Sequence, residues 1–541
     1  MALRDFDSVL EPRASVPVLQ YAGALGSRLD DWWSRRSLRV QRGITWGAPA
    51  LVMLLASLTR LWNLGHPDSL VFDETFYVKD SWTLVNLGYE SSWPAESDTF
   101  FNAGQTDGYT NDPSFVVHPP LAKWIIGLGM LVFGADNTVG WRISTAIVGI
   151  LAVALLMVVA KLLFRSTVLA TLAGFLFAID GNAIVMSRVA LLDNFLMFFA
   201  LIGFLFVLLD RRQSAVRLSA WVFERERAER STDWGPALWW RPWLILAGAA
   251  FGAATAVKWN GLYFLAAFAI YTLVVDALAR RSLGLEFWAS GTAFKQAPVS
   301  FLLMVPVALA VYLAAWTGWF LSSNGYDRDW ASEPGNAWGG ALAWVPSSIQ
   351  SLWHFESSVY DYHVGENRPH SYQANPLTWL LLVRPTSMWY QSSIMGENGC
   401  DYSNCGASIT GIANPLIWWA ATAAAIYLVY RLIRWREWRV GLVLMGLAAG
   451  YLPWLMYLNR TVFQFYTIAF EPYLILALTM VIGIILGTAK DPRERRTSGI
   501  LVVTIFVTAA AAMSVFYWPL WTGMQIDYDY MRIHWWFETW R

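Results

Sequence analysis

The acidic segment LVFDETFYVKD, residues 70–80, holds the side chains with the clearest chemical potential in this sequence. Asp73 and Asp80 are spaced so that both lie on one face of a helix that begins at Asp73. A carboxylate placed there can act as a general base that takes a proton from an attacking hydroxyl. Alternatively, Asp73 is an N-cap and Glu74 stabilises the positive end of the helix dipole. The two roles conflict, because backbone hydrogen bonds stabilise the ionised carboxylate and weaken it as a base.

Cationic side chains at the ends of apolar segments form a second set of candidates. Lys258 and Arg460 lie in short turns between apolar segments, and Arg384 precedes Pro385 in a long polar stretch. Cations gathered at one membrane surface would hold an anionic lipid phosphate strongly, because the local dielectric constant is low. Such a site fits a membrane-bound activated substrate, since the sequence carries no nucleotide-binding fingerprint.

Two further motifs combine charge with a predicted helix end. In HPPLAKW, His118 and Lys123 either bind an anionic group or belong to a helix start followed by a snorkelling lysine. In MSRVALLDNF, the spacing of Arg188 and Asp193 is unfavourable for an ion pair on one helix. Each is therefore expected to face a different partner, although a structural ion pair stays open as the alternative.

The composition indicates a membrane protein with many crossings. The chain has 541 residues, of which 56% are hydrophobic and 14% charged, against roughly 25% charged residues in soluble proteins. Its apolar residues form many separate runs, as in polytopic membrane proteins. The formal net charge is zero, which gives no attraction to nucleic acid. The sequence therefore predicts an all-α polytopic membrane protein.

The distribution of charge decides the predicted topology. Eleven apolar runs are candidates for spanning a bilayer: 45–62, 142–163, 167–180, 190–209, 242–257, 260–276, 298–320, 414–430, 440–457, 462–487 and 499–518. If segment 121–134 does not cross, most of the 39 Lys and Arg residues fall on one side, which the positive-inside rule makes cytoplasmic. We therefore predict an interfacial or re-entrant helix at 121–134, a cytoplasmic N-terminus and an extracytoplasmic C-terminus.

This topology divides the chain into a cytoplasmic segment, 1–44, and a membrane domain, 45–541. Residues 1–44 lack the short apolar core of a cleavable signal peptide, so the first helix should be retained. Two long external loops, 63–141 and 321–413, are predicted at the membrane face that carries the candidate residues. Long loops are commonly functional, and we expect the chemistry at this face.

The cysteines and histidines give weaker signals. Cys400 and Cys405, the two cysteines of the chain, form a disulfide if their loop faces an oxidising compartment and are free thiols otherwise. The histidines of the second loop, including His370, either contact an acceptor or have ordinary structural roles. Because no trio has clear metal-ligand spacing, we expect no obligatory metal or other cofactor, with a divalent metal left open.

Seven motifs in this chain resemble those of the protein O-mannosyltransferase family, which has the multi-helix GT-C-type fold of lipid-linked glycosyltransferases. They run through most of the chain in the expected order: FDETFYVKDSW (72–82), HPPLAKW (118–124), SRVALLDNFLMFF (187–199), VKWNGLY (257–263), RPHSYQANPLTWLLLVRPTSMWY (368–390), GIANPLIWW (411–419) and FQFYTIAFEPYL (463–474). The acidic pair followed by HPPL and the Arg-x4-Asp stretch is specific as a set.

The resemblance implies the reaction. It implies a polyprenyl- or dolichyl-phosphate mannose donor and a Ser or Thr hydroxyl of an exported protein as the acceptor. The β-linked sugar phosphate becomes an α-mannoside, so the configuration at the anomeric carbon inverts. Asp73 matches the acidic loop residue thought to act as base, with Glu74 positioning acceptor or donor. Arg188 and Asp193 match the second external-turn motif of the family.

The residues and the resemblance together give one site hypothesis, in which Asp73 and Glu74 are the catalytic carboxylates. A first group of helpers binds the phosphate of the donor: Arg188, Lys123, Lys258, Arg384 and Arg460. A second group positions the substrates: Asp80, His118, Asp193, His370 and Gln464.

One departure from the family narrows the expectation. Loop 321–413 has no room for the β-trefoil (MIR) domain that eukaryotic members carry. The resemblance therefore points to a bacterial, actinobacterial-type member in the plasma membrane, with a polyprenyl carrier. The expected partners are the donor lipid, exported Ser/Thr-containing proteins and membrane lipids, and a secretion translocon is a further candidate.

Two other functions stay open at this point. A related enzyme of the same fold could transfer a sugar to a lipid or a glycan instead of a protein. A transporter or lipid flippase is a different class, and it would be expected to have inverted repeats and broken helices at mid-membrane. The sequence shows no such internal symmetry.

Overall fold

Helices dominate the computed structural model, which describes residues 26–541; the predictions for residues 1–25 lie outside this range. The α-helices in chain order are α1 Arg28–Ser34, α2 Leu38–Leu61, α3 Glu74–Leu87, α4 Ser97–Asn102, α5 Leu121–Phe133, α6 Thr138–Phe164, α7 Thr167–Ile179, α8 Gly181–Met186, α9 Asp193–Arg227, α10 Pro242–Val257, α11 Gly261–Ser282, α12 Trp288–Gly291, α13 Ala297–Ala315, α14 Thr317–Leu321, α15 Ser347–Gly365, α16 Pro415–Trp435, α17 Trp438–Tyr451, α18 Glu471–Leu486, α19 Arg493–Thr522 and α20 Tyr528–Arg532. A π-helical turn, Thr292–Gln296, joins α12 to α13.

Within residues 26–541, eight helices are long and apolar enough to cross a membrane. They are α2, α6, α9, α11, the run Trp288–Ala315, α16, the run Trp438–Met456 and α19. Four shorter apolar helices, α5, α7, α10 and α18, accompany them. Each of the eleven predicted spans overlaps one of these twelve helices, and the predicted multi-pass architecture is confirmed. The count of eleven crossings stays a prediction.

The two ends of the helix bundle hold different parts of the chain. At one end, Arg496 at the start of α19 donates a hydrogen bond to Asp30 of α1 at 3.0 Å. At the other end, His66 lies 2.8 Å from the carbonyl of Gly523, directly after α19. The C-terminal Trp540 binds the Leu382 carbonyl of the second long loop. Residues 28–34 and the last residues of the chain therefore lie at opposite ends of the bundle.

Segment 121–134 forms the thirteen-residue helix α5 between α3 and the first turns of α6. Gly129 lies so close to α6 that a Cβ atom there would be 2.8 Å from the Gly140 carbonyl oxygen. Gly127 faces α3 in the same way, and a Cβ atom there would be 3.1 Å from the Ser81 carbonyl oxygen. The small residues thus hold α5 at the loop end of α6, as expected for an interfacial helix. Its depth in the membrane stays a prediction.

The second long loop contains α15 and a β-hairpin, strands β1 (Thr386–Ile394) and β2 (Asn404–Gly411). A third strand, β3 (Ile526–Asp527), follows α19 and pairs antiparallel with β2, giving the order β1-β2-β3. A disulfide joins Cys400 to Cys405 at the turn of the hairpin. Of the two alternatives for these cysteines, a disulfide or free thiols, the structure has the disulfide. The hairpin is a small addition that the all-α prediction missed.

The helices that carry the site pack closely because small residues line their contacts. Gly248 and Gly252 of α10 lie against the backbone of Met304 and Ala308 in α13, where a Cβ atom would be 2.5 Å from each carbonyl oxygen. Small residues one turn apart allow two helix backbones to approach in this way. This packing holds α10 and the turn that follows it, which carries Lys258, in a fixed place.

Candidate active site

A cavity of about 540 Å³ lies at the loop end of the bundle. Its walls come from the first loop, the start of α9, the turn before α11, one face of α15 and residues 453–466. The charged side chains on these walls include Asp193, Lys258, Glu356 and Arg460. A concave site of this size with a few convergent polar groups is typical of small-ligand binding.

Asp73 directly precedes α3 beside this cavity, and the residue before it has a strained backbone conformation. Phe72 has a positive φ of 51°, a conformation that costs a bulky residue about 1 kcal/mol or more and clusters at functional sites. Its ring is held in place by Phe463, with ring centroids 5.6 Å apart, and by His370 at 6.1 Å. The Asp73 side chain makes no capping hydrogen bond to α3. Asp73 thus occupies the N-cap position of α3 without capping it through its side chain.

Burial and neighbouring charges make Asp73 suitable as a base. Burial raises the pKa of Asp73 from 3.8 to about 6, the positive charge of Lys258 opposes this rise, and the negative charge of Asp193 adds to it. A base that is ionised at neutral pH but not strongly acidic is favourable for proton abstraction. In the described part of the chain, the side chains that line the cavity do not include Asp73 itself, but they include both residues whose charges act on it.

Lys258 and Asp193 form a buried ion pair, with the lysine Nζ 2.7 Å from a carboxylate oxygen. The lysine also lies 4.8 Å from the centre of the Tyr466 ring, a cation–π contact. Asp193 is the first residue of α9, and Lys258 directly follows α10, so two tightly packed helices fix the pair. Both residues line the cavity. The expectation that Asp193 and Arg188 face different partners agrees with this geometry.

Arg460 is a cavity cation that forms no salt bridge with a carboxylate among the residues that the structure describes. Its Nη2 donates to Nδ1 of His363 at 2.8 Å, and its Nε is buried without a hydrogen-bond partner. Nε2 of His363 lies 2.7 Å from the Val117 carbonyl and donates to it, since Nδ1 is occupied as an acceptor. Burial, followed by the charge of Arg460, lowers the pKa of His363 to about 4. The imidazole is thus neutral, and Arg460 lines the cavity.

Glu74 is a structural residue, which corrects its prediction as a catalytic carboxylate. Its side chain is fully buried. Arg142 donates two hydrogen bonds to it at 2.8 Å, and the backbone amides of Val71 and Ala190 donate at 2.9 and 2.8 Å. These four bonds use the acceptor capacity of the carboxylate and leave none for a substrate. Glu74 and Arg142 instead fix the position of the neighbouring Asp73.

Lys123 and Asp80 also have structural partners. The lysine Nζ lies 3.1 Å from Asp80 and 2.8 Å from Glu90, and its side chain is buried. This triad ties α5 to α3 and to the residues after it. Lys123 is therefore not free to bind the phosphate of a donor, and Asp80 is occupied in the same contact. Both predictions are corrected by this geometry.

Arg188 and Arg384 bind backbone carbonyls rather than a cavity. Arg188 donates to the Trp62 carbonyl at 2.6 Å and to the Asn63 carbonyl at 3.2 Å, just after α2. The last carbonyls of a helix lack partners within it, and a cation there is favourable for the dipole. Arg384 donates to the Ser371 carbonyl and to carbonyls of the C-terminal segment. The predicted phosphate contacts of both arginines are thus replaced by structural ones.

The remaining predicted positioning residues divide between the cavity and its supports. His118 lines the cavity and stacks on His363, with ring centroids 5.2 Å apart. Burial, followed by the charge of Lys258, lowers the pKa of His118 well below its usual range. His370 packs against Phe72 rather than the cavity. Gln464 is buried and donates to the Trp379 carbonyl at 2.9 Å, so it supports the chain before Tyr466.

Sequence reasoning missed three residues that the structure makes prominent. Arg142 holds Glu74, and it could have been found as a lone cation at the start of an apolar helix, where charges are costly. Glu356 and Trp259 line the cavity. No spacing singles them out, since aromatic residues are frequent in this chain, with 33 Trp. Within residues 26–541, no three His, Cys, Asp or Glu side chains gather in a way that could hold a metal ion; metal independence stays a prediction.

The fold is that of a known class of membrane glycosyltransferase. The yeast (S. cerevisiae) protein O-mannosyltransferase Pmt1-Pmt2 complex bound to the sugar donor is similar to this chain, with a TM-score of 0.67, 15% identity, and coverage of 96% of this chain and 95% of that chain. At this identity the similarity shows the fold alone, and the GT-C-type fold predicted from the motifs is confirmed.

The sequence comparisons identify the family. The family described as dolichyl-phosphate-mannose-protein mannosyltransferase matches residues 50–224, and the C-terminal four TMM region of protein-O-mannosyltransferase matches residues 348–540. A polyprenol-phosphate-mannose–protein mannosyltransferase of Mycolicibacterium smegmatis (strain MKD8) is 32% identical over 513 residues, 93% of this chain and 94% of the relative. The relative of that name from Mycobacterium tuberculosis (strain CDC 1551 / Oshkosh) is 31% identical, covering 92% of each chain. This chain belongs to the polyprenol-phosphate-mannose–protein mannosyltransferase family, as its motifs predicted.

Proposed function

We propose that this protein transfers mannose from a polyprenyl-phosphate mannose to Ser and Thr hydroxyls of exported proteins, with inversion at the anomeric carbon. The observation that carries the proposal is that a carboxylate suited to be a base lies beside a cavity that is lined by cations able to bind phosphate. Asp73 is the base, and Arg460 is the cation. The names of the curated relatives support the donor and the protein acceptor.

The chemistry is a single displacement. The acceptor hydroxyl oxygen forms a bond to the anomeric carbon while the bond from that carbon to the phosphate oxygen breaks. Asp73 takes the hydroxyl proton, and the lipid phosphate leaves with the bonding electron pair. Attack from the face opposite the phosphate converts a β-linked sugar into an α-mannoside.

The phosphate side requires charge stabilisation more than acid catalysis, because a phosphate is already a good leaving group. Preorganised positive groups in a site that excludes water are effective at this task. Arg460 supplies guanidinium N–H groups, and the neutral His363 holds it in place without competing for the phosphate. Lys258 adds a second cation, whose charge is shared with Asp193. We expect this residue set to act without a metal.

The proposed location is supported by the distribution of charged residues. We place the cavity end of the bundle outside the cytoplasm and the protein in the plasma membrane, with a cytoplasmic N-terminus and an extracytoplasmic C-terminus. Basic residues gather at the opposite end, where α1 meets α19. The positive-inside rule favours the cytoplasm for that end. An acceptor emerging from a secretion translocon would then meet the cavity directly.

An in vitro transfer assay tests the proposal. Purified protein in nanodiscs is mixed with mannosyl-phosphoryl polyprenol and a Ser/Thr-rich peptide, and the product is analysed by mass spectrometry and NMR. We expect a peptide with one α-linked mannose on a hydroxyl. A β-linkage would contradict single displacement, and transfer to added lipid or glycan acceptors but not to peptide would favour the alternative transferase.

A further inference from the structure

Glu356 is a cavity-lining carboxyl that the proposed reaction leaves without a role. It lies on α15, in the second long loop. The hydroxyl of Tyr312, on α13, donates to Glu356 Oε1. Trp259 Nε1 in turn lies 3.3 Å from the Tyr312 hydroxyl. Three separate parts of the chain therefore hold this carboxyl at the cavity wall.

This carboxyl differs from Asp193 because it forms no ion pair with a cation among the described residues. Asp193 is paired with Lys258 at 2.7 Å, whereas the contacts of Glu356 are neutral groups, Tyr312 and Trp259. Burial raises the pKa of Glu356 to about 7, against the smaller opposing effect of these hydrogen bonds. A carboxyl of this kind can both donate and accept hydrogen bonds. Neutral hydroxyl groups are suitable partners for it.

The position of Glu356 relative to the phosphate-binding residues suggests which hydroxyl group it meets. His363, which holds Arg460, follows Glu356 by two turns on the same helix, about 10 Å along the axis. Two turns of separation place both side chains on one face, and both line the cavity. A sugar linked to a phosphate at Arg460 would extend from the phosphate along this face. Its hydroxyl groups far from the anomeric carbon would then lie near Glu356.

Aromatic residues around Glu356 complete a surface suited to a pyranose ring. The Trp259 and Tyr360 rings lie with centroids 6.4 Å apart, and both line the cavity. Such rings offer an apolar face to the C–H groups of a sugar while their polar atoms bind hydroxyls. The part of the cavity wall formed by Lys258, Asp193 and Arg460 carries charge instead.

We propose that Glu356 binds a hydroxyl group of the lipid-linked hexose remote from its anomeric carbon and thereby determines which hexose the enzyme accepts. The inference rests on the proposed function, because it places the phosphate of the donor at Arg460. It assigns Glu356 a binding role at the donor, separate from the proton transfer at Asp73.

Deoxy-sugar donors test the inference. Wild-type protein, Glu356→Ala and Glu356→Gln are assayed with mannosyl-phosphoryl polyprenol and with its 4-deoxy and 6-deoxy analogues. In the wild type, we expect one analogue to lose about 10- to 100-fold in kcat/KM, as for a lost hydrogen bond to a carboxyl. In Glu356→Ala, kcat/KM for the intact donor should fall by a similar factor. The same analogue should then have a kcat/KM close to that of the intact donor. Glu356→Gln should retain part of the discrimination.

Controls separate this role from a structural one. Glu333→Ala removes an exposed acid of the same loop and should leave the ratio between intact and deoxy donors unchanged. An equal loss for every donor in Glu356→Ala would overturn the inference, because a merely structural role moves all donors together. If Glu356→Ala does not fold, the ratio in the near-isosteric Glu356→Gln decides in the same way. Failure of the wild type to transfer mannose at all would instead refute the proposed function, and the inference with it.

Discussion

The charges around Asp73 should set the pH dependence of transfer, with opposite effects from its two charged neighbours. The proposed base must be ionised, so activity is present above the pKa of Asp73 and is lost as the pH falls through about 6. Lys258→Met removes a positive charge that favours the ionised form. Asp193→Asn removes a negative charge that disfavours it and leaves Lys258 with its full charge. The acid limb of the pH profile should therefore move to higher pH in Lys258→Met and to lower pH in Asp193→Asn.

The magnitude follows from the same contacts. Raising the pKa of Asp73 from 3.8 to about 6 corresponds to about 3 kcal/mol against ionisation. A close counter-charge shifts the pKa of a carboxylate by about 1–3 units, and Asp193 already offsets part of the lysine charge. We therefore expect the limb to move up by about one pH unit, or about 1.4 kcal/mol, in Lys258→Met. In Asp193→Asn, it should move down by a similar amount.

The assay is kcat/KM for mannose transfer to a peptide between pH 4.5 and 8.5, in nanodiscs, with folding checked by thermal unfolding at each pH. The position of the limb is compared rather than its height, because both variants also weaken donor binding. Lys79→Met is the control, since Lys79 lies on α3 and does not line the cavity. Its Nζ lies 2.6 Å from a carboxylate oxygen of Asp98. Limbs that move in the same direction in both charge variants, or that do not move, would refute the assignment of Asp73 as the titrating base.

Three further predictions concern single contacts. Arg460→Met should raise the KM for the donor about 10- to 100-fold with a smaller effect on acceptor KM, because it removes a charged phosphate contact; an unchanged donor KM would place the phosphate elsewhere. Glu74→Gln should lower the unfolding free energy by about 3–5 kcal/mol, since it leaves the buried Arg142 charge without its partner. Thermal unfolding in detergent measures this loss. A stable but inactive variant would return Glu74 to a catalytic role. Replacing Cys400 and Cys405 with serine should lower the free energy of unfolding by about 2 kcal/mol, by the loop-closure relation. Mannose transfer by the unheated protein should be unchanged. Loss of transfer without unfolding would contradict a purely structural role for the disulfide.

The fold was largely predictable from the sequence because its main signal is local. Apolar runs of about 20 residues and the side on which Lys and Arg collect do not depend on tertiary neighbours. The hairpin β1–β2 escaped prediction because it is short and its pairing with β3 joins distant parts of the chain. The membrane depth of α5 is decided by contacts that its composition does not reveal.

The site was predictable only in part, since charged residues choose their partners in three dimensions. Asp73, Asp193, Lys258 and Arg460 were found as charges at one predicted face, and the structure brings them to one cavity or beside it. Spacing could not reveal that Glu74 pairs with a residue 68 positions away. Arg188 and Lys123 likewise bind the backbone after α2 and the acids of the first loop. The partner of a charged residue cannot be identified from the sequence, because it depends on how the loops fold.

The account depends most directly on Asp73 as the proton acceptor for the attacking hydroxyl. The measurement that tests it is single-turnover mannose transfer by Asp73→Asn, together with donor binding to the same preparation. We predict that transfer falls by about 10²- to 10⁴-fold while the Kd for the donor changes by no more than a few-fold. Transfer close to the wild-type rate, or a loss fully explained by weaker donor binding, would contradict it.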